Sequence, residues 1–147
     1  MTAAAAGATT ALVATCGCGT SATPSHSASD NAPARANGPV DAGFLAEYPS
    51  DGVYDRFAAS HEFFVVRENN RLFAISAICT HRHCPLRRFE DGIKCRCHGS
   101  TFTASGHVTR GPAKLDLPRY PIERTTAGRL LVHTERATDP AASLDVA

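Results

Sequence analysis

The sequence predicts a small antiparallel all-β domain, of sandwich or barrel-like form, in the middle of the chain. Three observations carry this expectation. Short β-branched and aromatic runs recur between turn signals, and no stretch shows the spacing of an amphipathic helix. All ten aromatic residues, seven Phe and three Tyr, fall between Phe44 and Tyr120, so the core lies there. With 147 residues there is room for one domain and tails.

Residues 62–67 (EFFVVR) read as a strand, residues 68–70 (ENN) as a turn, and residues 72–76 (LFAIS) as the returning strand of a hairpin. Asp91-Gly92 is a tight-turn signal that leads into residues 93–95 (IKC). Thr101, Phe102 and Thr103 form a short strand before a turn at Ser105-Gly106. Gly111-Pro112 breaks the chain, after which Leu115 and Leu117 alternate with polar residues. Ala127-Gly128 turns into a last strand over residues 129–134 (RLLVHT). Strands this short, separated by turns, favour an antiparallel sheet.

The flanks read differently. No Asp, Glu, Lys or Arg occurs before Asp30, and residues 3–15 are an apolar run too short to span a bilayer. Residues 1–19 are expected to be an export-signal or lipoprotein-like remnant whose basic front end lies upstream. Residues 12–16 (LVATC) resemble a lipidation box ending at Cys16, with Cys18 close behind. Residues 20–49 are expected to be a flexible linker, residues 50–136 the domain, and residues 137–147 a loose tail. An exported protein follows, on the outer face of the cytoplasmic membrane or in an equivalent of the periplasm, with membrane association through its N-terminus. A balance of 15 Lys and Arg against 14 Asp and Glu gives no electrostatic case for nucleic acid.

Four of the six cysteines, Cys79, Cys84, Cys95 and Cys97, crowd together with His81, His83 and His98. Cys79-x-His81 and Cys95-x-x-His98 offer two thiolates and two imidazoles. That set suits tetrahedral zinc, or an iron–sulfur cluster with mixed ligands. His83 reads as an exposed loop histidine. His61, His107 and His133 read as solvated or lightly packed. Residues 82–96 hold Arg82, Arg87, Arg88, Lys94 and Arg96 against Glu90 and Asp91, a local excess of +3.

The boxes CTHxxC (79–84) and CxCHGSxF (95–102) closely resemble those of Rieske [2Fe-2S] proteins of the disulfide-containing type. Such boxes occur in the iron–sulfur subunits of quinol–cytochrome reductases and in exported bacterial relatives. The resemblance covers roughly residues 52–134. It implies a β domain with a two-loop cluster-binding subdomain and one [2Fe-2S] cluster per chain. Position by position, it makes Cys79 and Cys95 the ligands of one iron and His81 and His98 those of the other. It also pairs Cys84 with Cys97 in a disulfide, which implies an oxidising compartment. Residues 109–113 (TRGPA) resemble the loop that closes over the cluster, so Gly111 and Pro112 are expected to tune it.

Two further positions are expected to tune the cluster. Ser100 matches a serine whose hydroxyl donates to a bridging sulfide. Phe102 stands where the highest-potential members have Tyr. Family potentials span about −150 to +300 mV; the basic residues and Ser100 are expected to place this cluster in the upper half, and Phe102, which cannot donate, below the top. The implied activity is one-electron transfer coupled to protons, with no catalytic side chain, as the iron–sulfur subunit of a quinol–cytochrome reductase-type complex. Its partners would be cytochromes of b or c type and a quinol. Arg82-His83 depart from the Leu-Gly usual in quinol-oxidising members, which leaves open a stand-alone exported carrier or the small subunit of an exported oxidase. A structural zinc domain is the remote alternative.

Overall fold

A computed structural model describes residues 38–137 and 143–146. The expected export head, with Cys16 and Cys18, and the first part of the expected linker lie outside the described residues. Twelve strands are described: β1 (Val40–Phe44), β2 (Gly52–Tyr54), β3 (Phe63–Glu68), β4 (Arg71–Ser76), β5 (Leu86–Phe89), β6 (Gly92–Cys95), β7 (Thr101–Thr103), β8 (Val108–Arg110), β9 (Arg119–Tyr120), β10 (Ile122–Arg124), β11 (Arg129–Val132) and β12 (Leu144–Asp145). A 3-10 turn at Leu45–Glu47 is the only helical element among them. All pairings are antiparallel, in three sheets ordered β1-β11-β10, β12-β4-β3-β2 with β9 also on β4, and β5-β6-β7-β8. The all-β expectation holds.

The β3–β4 hairpin is the centre of the fold. Its loop, Asn69-Asn70, has φ of 51° and 61°, the left-handed pair that a two-residue hairpin needs to match strand twist. The run from Phe63 to Val66 is buried at every position, because this sheet is covered on both faces. Phe64, Val66, Phe73 and Ile75 point into one core, shared with Ile93, Cys95, Phe102, Ala113 and Leu117. Phe63, Val65, Leu72 and Ala74 point into a second core, shared with Ala42, Tyr48, Phe57, Leu130 and Val132. The first core joins the central sheet to the β5–β8 subdomain that bears the Cys/His loops. The second joins it to the β1-β11-β10 sheet.

Two expected boundaries are corrected. Residues 40–49 fall inside the domain, because β1 pairs with β11 and buries Ala42 completely. Asp41 holds this strand in place by accepting hydrogen bonds from Arg129 Nε at 2.6 Å and from the Gly43 amide at 2.8 Å. In the expected tail, Leu144 and Asp145 pair with Leu72 and Arg71 as an edge strand, and Val146 is buried in the second core. Burial of one apolar side chain offsets the low strand propensity of both segments.

Candidate metal centre

Three loops meet at one end of the β5–β8 subdomain. The first, residues 77–85, joins β4 to β5. The second, residues 96–100, joins β6 to β7. The third, residues 111–118, joins β8 to β9.

The first two loops repeat one backbone device. The Cys79 carbonyl accepts the His83 amide at 2.9 Å, and the Cys95 carbonyl accepts the Gly99 amide at 3.0 Å. In each, the donor residue lies in the left-handed region, His83 at φ 53° and Gly99 at φ 80°. A glycine takes this conformation freely, whereas a histidine is strained by it. The constraint therefore explains why the resemblance leads one to expect glycine where His83 stands. Loop 1 is closed by Cys79 N–H to the Cys84 carbonyl at 2.8 Å, loop 2 by Cys95 N–H to the Ser100 carbonyl at 2.9 Å. Each turn thus presents a cysteine at its root and a histidine near its crest.

Cross-links fix the loops to one another. Cys84 and Cys97 form a disulfide with Cα atoms 6.5 Å apart. The His81 and His98 rings stand edge to face with centroids 4.8 Å apart. Ser100 is fully buried, and its Oγ accepts the Ala113 amide of loop 3 at 3.0 Å. Thr80 Oγ1 donates to the Leu115 carbonyl at 2.7 Å, tying loop 1 to loop 3. Gly111 and Pro112 are exposed and joined by a cis peptide. Phe102 is buried in the same core as Cys79 and Cys95.

The donors fit a metal centre. Cys79 and Cys95 are the free cysteines among the described residues, and both are buried. The Sγ atoms of Cys84, Cys95 and Cys97 lie within 4.8 Å of one another, but the disulfide leaves only Cys95 of the three with a thiol. His81 Nδ1 is buried without a hydrogen-bond partner, an arrangement that is unfavourable by about 1–3 kcal/mol unless something else binds it. Loss of solvent, followed by the nearby His98 and Arg82, holds the His81 imidazole below its ordinary pKa. Both effects favour the neutral ring that a metal requires. Two sulfur and two nitrogen donors of this kind suit a cluster with divided ligation.

Of the residues that the resemblance placed at this site, the structure joins Cys84 to Cys97, sets the His81 and His98 rings against each other, and puts Cys79 and Cys95 in one core. The sequence did not single out Thr80 or Leu115. Nothing in the sequence marks their bond, which joins positions 35 residues apart.

Residues 39–121 match the Rieske [2Fe-2S] domain family. Similar proteins include cytochrome b6-f complex iron–sulfur subunits. The chloroplastic protein of Arabidopsis thaliana is 35% identical over 88 residues, 56% of this chain and 38% of that protein. That of Microcystis aeruginosa is 37% identical over 81 residues, 52% and 45% of the respective chains. That of Synechococcus elongatus is 49% identical over 87 residues, 46% and 49%. The chain thus spans less than half the length of these curated relatives. The crystal structure of the plasma membrane Rieske protein PetC3 of Synechocystis PCC 6803 superposes with a TM-score of 0.50 at 28% identity, over 63% of this chain and 97% of that one. With the match spanning over half of the sequence and the paired loops in place, the chain belongs to the Rieske [2Fe-2S] domain family and carries one such cluster.

Proposed function

We propose that this domain is the redox head of the iron–sulfur subunit of a quinol–cytochrome reductase-type complex, held at the outer face of a membrane. The observation that carries the reading is the pair of cross-linked loops, with two buried free thiols and two adjoining imidazoles behind a disulfide. In this reading Cys79 and Cys95 bind one iron, and His81 and His98 the other. When bound, the cluster takes up and gives back one electron.

The residues of the chain divide the remaining work. Cys79 and Cys95 are rooted in the apolar core, which keeps water from the sulfur side. His98 is exposed, so its outer ring nitrogen can hold or release a proton at the surface where a partner docks. Ser100 Oγ accepts from Ala113 and keeps its own proton free to stabilise added electron density. Phe102 offers no such donor. Neutral imidazoles in place of two thiolates leave the site less negative, which raises the potential. Gly111 and Pro112 begin the loop that covers the centre.

The b6-f iron–sulfur subunits among the relatives support cytochromes as partners, and a quinol is the donor that this reading adds. The likeness to the plasma membrane Rieske protein PetC3 supports a membrane-facing, exported setting. Among the described residues, no helix is long and apolar enough to cross a membrane. A stand-alone carrier is the second reading. It is favoured by exposed, polar Arg82 and His83, in place of the apolar pair that would line a quinol site.

The test is purification of the native protein. Co-purification with a b-type cytochrome, and quinol-dependent reduction of the cluster with a potential that falls as pH rises above neutral, are expected. A holoprotein that purifies alone and is not reduced by quinol in the native membrane overturns the complex reading.

A further inference from the structure

The three loops around the centre, with the end of β8 that leads into the third, carry Arg82, Arg96, Arg110 and Lys114, all exposed and none in an ion pair among the described residues. No Asp or Glu occurs from Cys79 to Phe89 or from Cys95 to Leu115. The nearest carboxylate in sequence, Asp116, is turned away from this role. It accepts the Val108 amide and contacts His107 Nδ1, both at 2.8 Å. Leu115 is the most exposed large apolar residue among the described residues, at 69%, and its backbone is pinned to Thr80. Unopposed basic residues, and one exposed apolar residue whose backbone is fixed, therefore share the end of the subdomain that bears exposed His98.

We propose that this end of the domain is a docking surface for a redox protein with an acidic face, Arg82, Arg96, Arg110 and Lys114 steering the approach and Leu115 seating it. The proposal deepens the reading above, since it assumes that electrons leave or enter at His98. Four like charges on one small surface raise the encounter rate with an oppositely charged partner and repel a basic one. The selection depends on salt, because exposed charges are screened beyond about 10 Å at 0.1 M ionic strength.

The experiment uses the full-length holoprotein and two soluble c-type cytochromes of similar potential, one acidic and one basic. Electron transfer is followed by stopped flow across ionic strength, and association is read separately by chemical-shift perturbation on the cytochrome. The rate with the acidic cytochrome should fall roughly tenfold or more between low and high salt, while the basic one should show a rise. Arg110→Gln/Lys114→Gln, at positions remote in sequence from the proposed ligands, should cut the low-salt rate and the association several-fold. The charge-matched pair Arg87→Gln/Arg124→Gln should leave both unchanged. Equal salt response with the two cytochromes, or equal loss in the two double variants, overturns the proposal. So does binding of the holoprotein to phosphatidylserine vesicles that outcompetes the acidic cytochrome, which would make this surface a lipid contact. Acid preference retained in a protein that purifies without a b-type cytochrome would overturn the complex reading and leave the docking surface standing.

Discussion

The two ends of this domain treat their arginines in opposite ways. Around the β1-β11-β10 sheet and the central sheet, Arg56 pairs with Glu47, Arg67 with Asp51, Arg71 with Asp145, Arg129 with Asp41 and Arg136 with Glu135. Around the three loops, Arg82, Arg96, Arg110 and Lys114 pair with nothing described. The difference extends inward. The hairpin has an apolar core on each side, and the loop end shares one of them and is tied beyond it by a disulfide and a few hydrogen bonds. A base that pairs five of its arginines internally, Arg124 aside, offers a partner little open charge. A loop end with open charges and discrete cross-links is shaped to meet one.

The largest effects should separate the two cores. Phe63 and Phe64 are adjacent and both fully buried, yet they face opposite cores. Truncating either to Ala should destabilise by about 3–5 kcal/mol, through lost transfer energy and the cavity left behind. Phe64→Ala should also loosen hydrogen-exchange protection in β5–β8, while Phe63→Ala should loosen β1 and β11. Identical exchange patterns in the two variants would mean that the cores are one cooperative unit.

Removing the disulfide with Cys84→Ser/Cys97→Ser sharpens the contrast from the other side. The bridge closes a 13-residue separation, and on the chain-entropy account its loss should cost about 3 kcal/mol. The loss should fall on the loops. In urea denaturation followed by hydrogen exchange, loop and β6–β7 amides should open first and β3–β4 amides should keep most of their protection. Global loss of protection at the same denaturant concentration would show that the base depends on the bridge as well.

How far the sequence reveals each region follows the same division. The loop end was legible in its chemistry, because Cys79, His81, Cys95 and His98 stand in short fixed spacings that no packing requirement imposes. The β3–β4 hairpin was legible from residues 62–76, since its Asn69-Asn70 turn and apolar run are local signals. β1 was not, because Val-Asp-Ala-Gly-Phe has weak strand propensity and is fixed by Arg129, 88 residues away. β12 was missed for the same reason. Its two residues form a strand only where β4 offers an edge. Which core each residue of β3 faces was also hidden, since a strand covered on both faces loses its alternation. The unpaired state of the loop cations could not be read from spacing either, because Asp116 is close in sequence to Lys114 and is engaged elsewhere.

Ser100 and Asp116 hold loop 3 by smaller effects. Ser100→Ala leaves the Ala113 amide without its acceptor in a buried place, and should destabilise by about 1–3 kcal/mol. It should also lower the potential of the cluster in voltammetry. Destabilisation without a change in potential would leave Ser100 a structural acceptor only.

Asp116 gives the mildest effect and one with a definite dependence on pH. The Val108 amide, and then His107, hold its carboxyl below the ordinary value of 3.8. A carboxyl depressed in the folded state stabilises the fold fully above its unfolded value, and that stabilisation is lost as pH falls through the depressed one. Asp116→Asn keeps the shape but not the charge. Its stability deficit against the parent should be below about 1 kcal/mol at neutral pH, since both groups are exposed and screened. The deficit should shrink towards zero as the pH is lowered from about 4 into the acid range. A deficit that stays constant on acidification would mean that Asp116 acts by shape alone, and that loop 3 owes nothing to its one carboxylate.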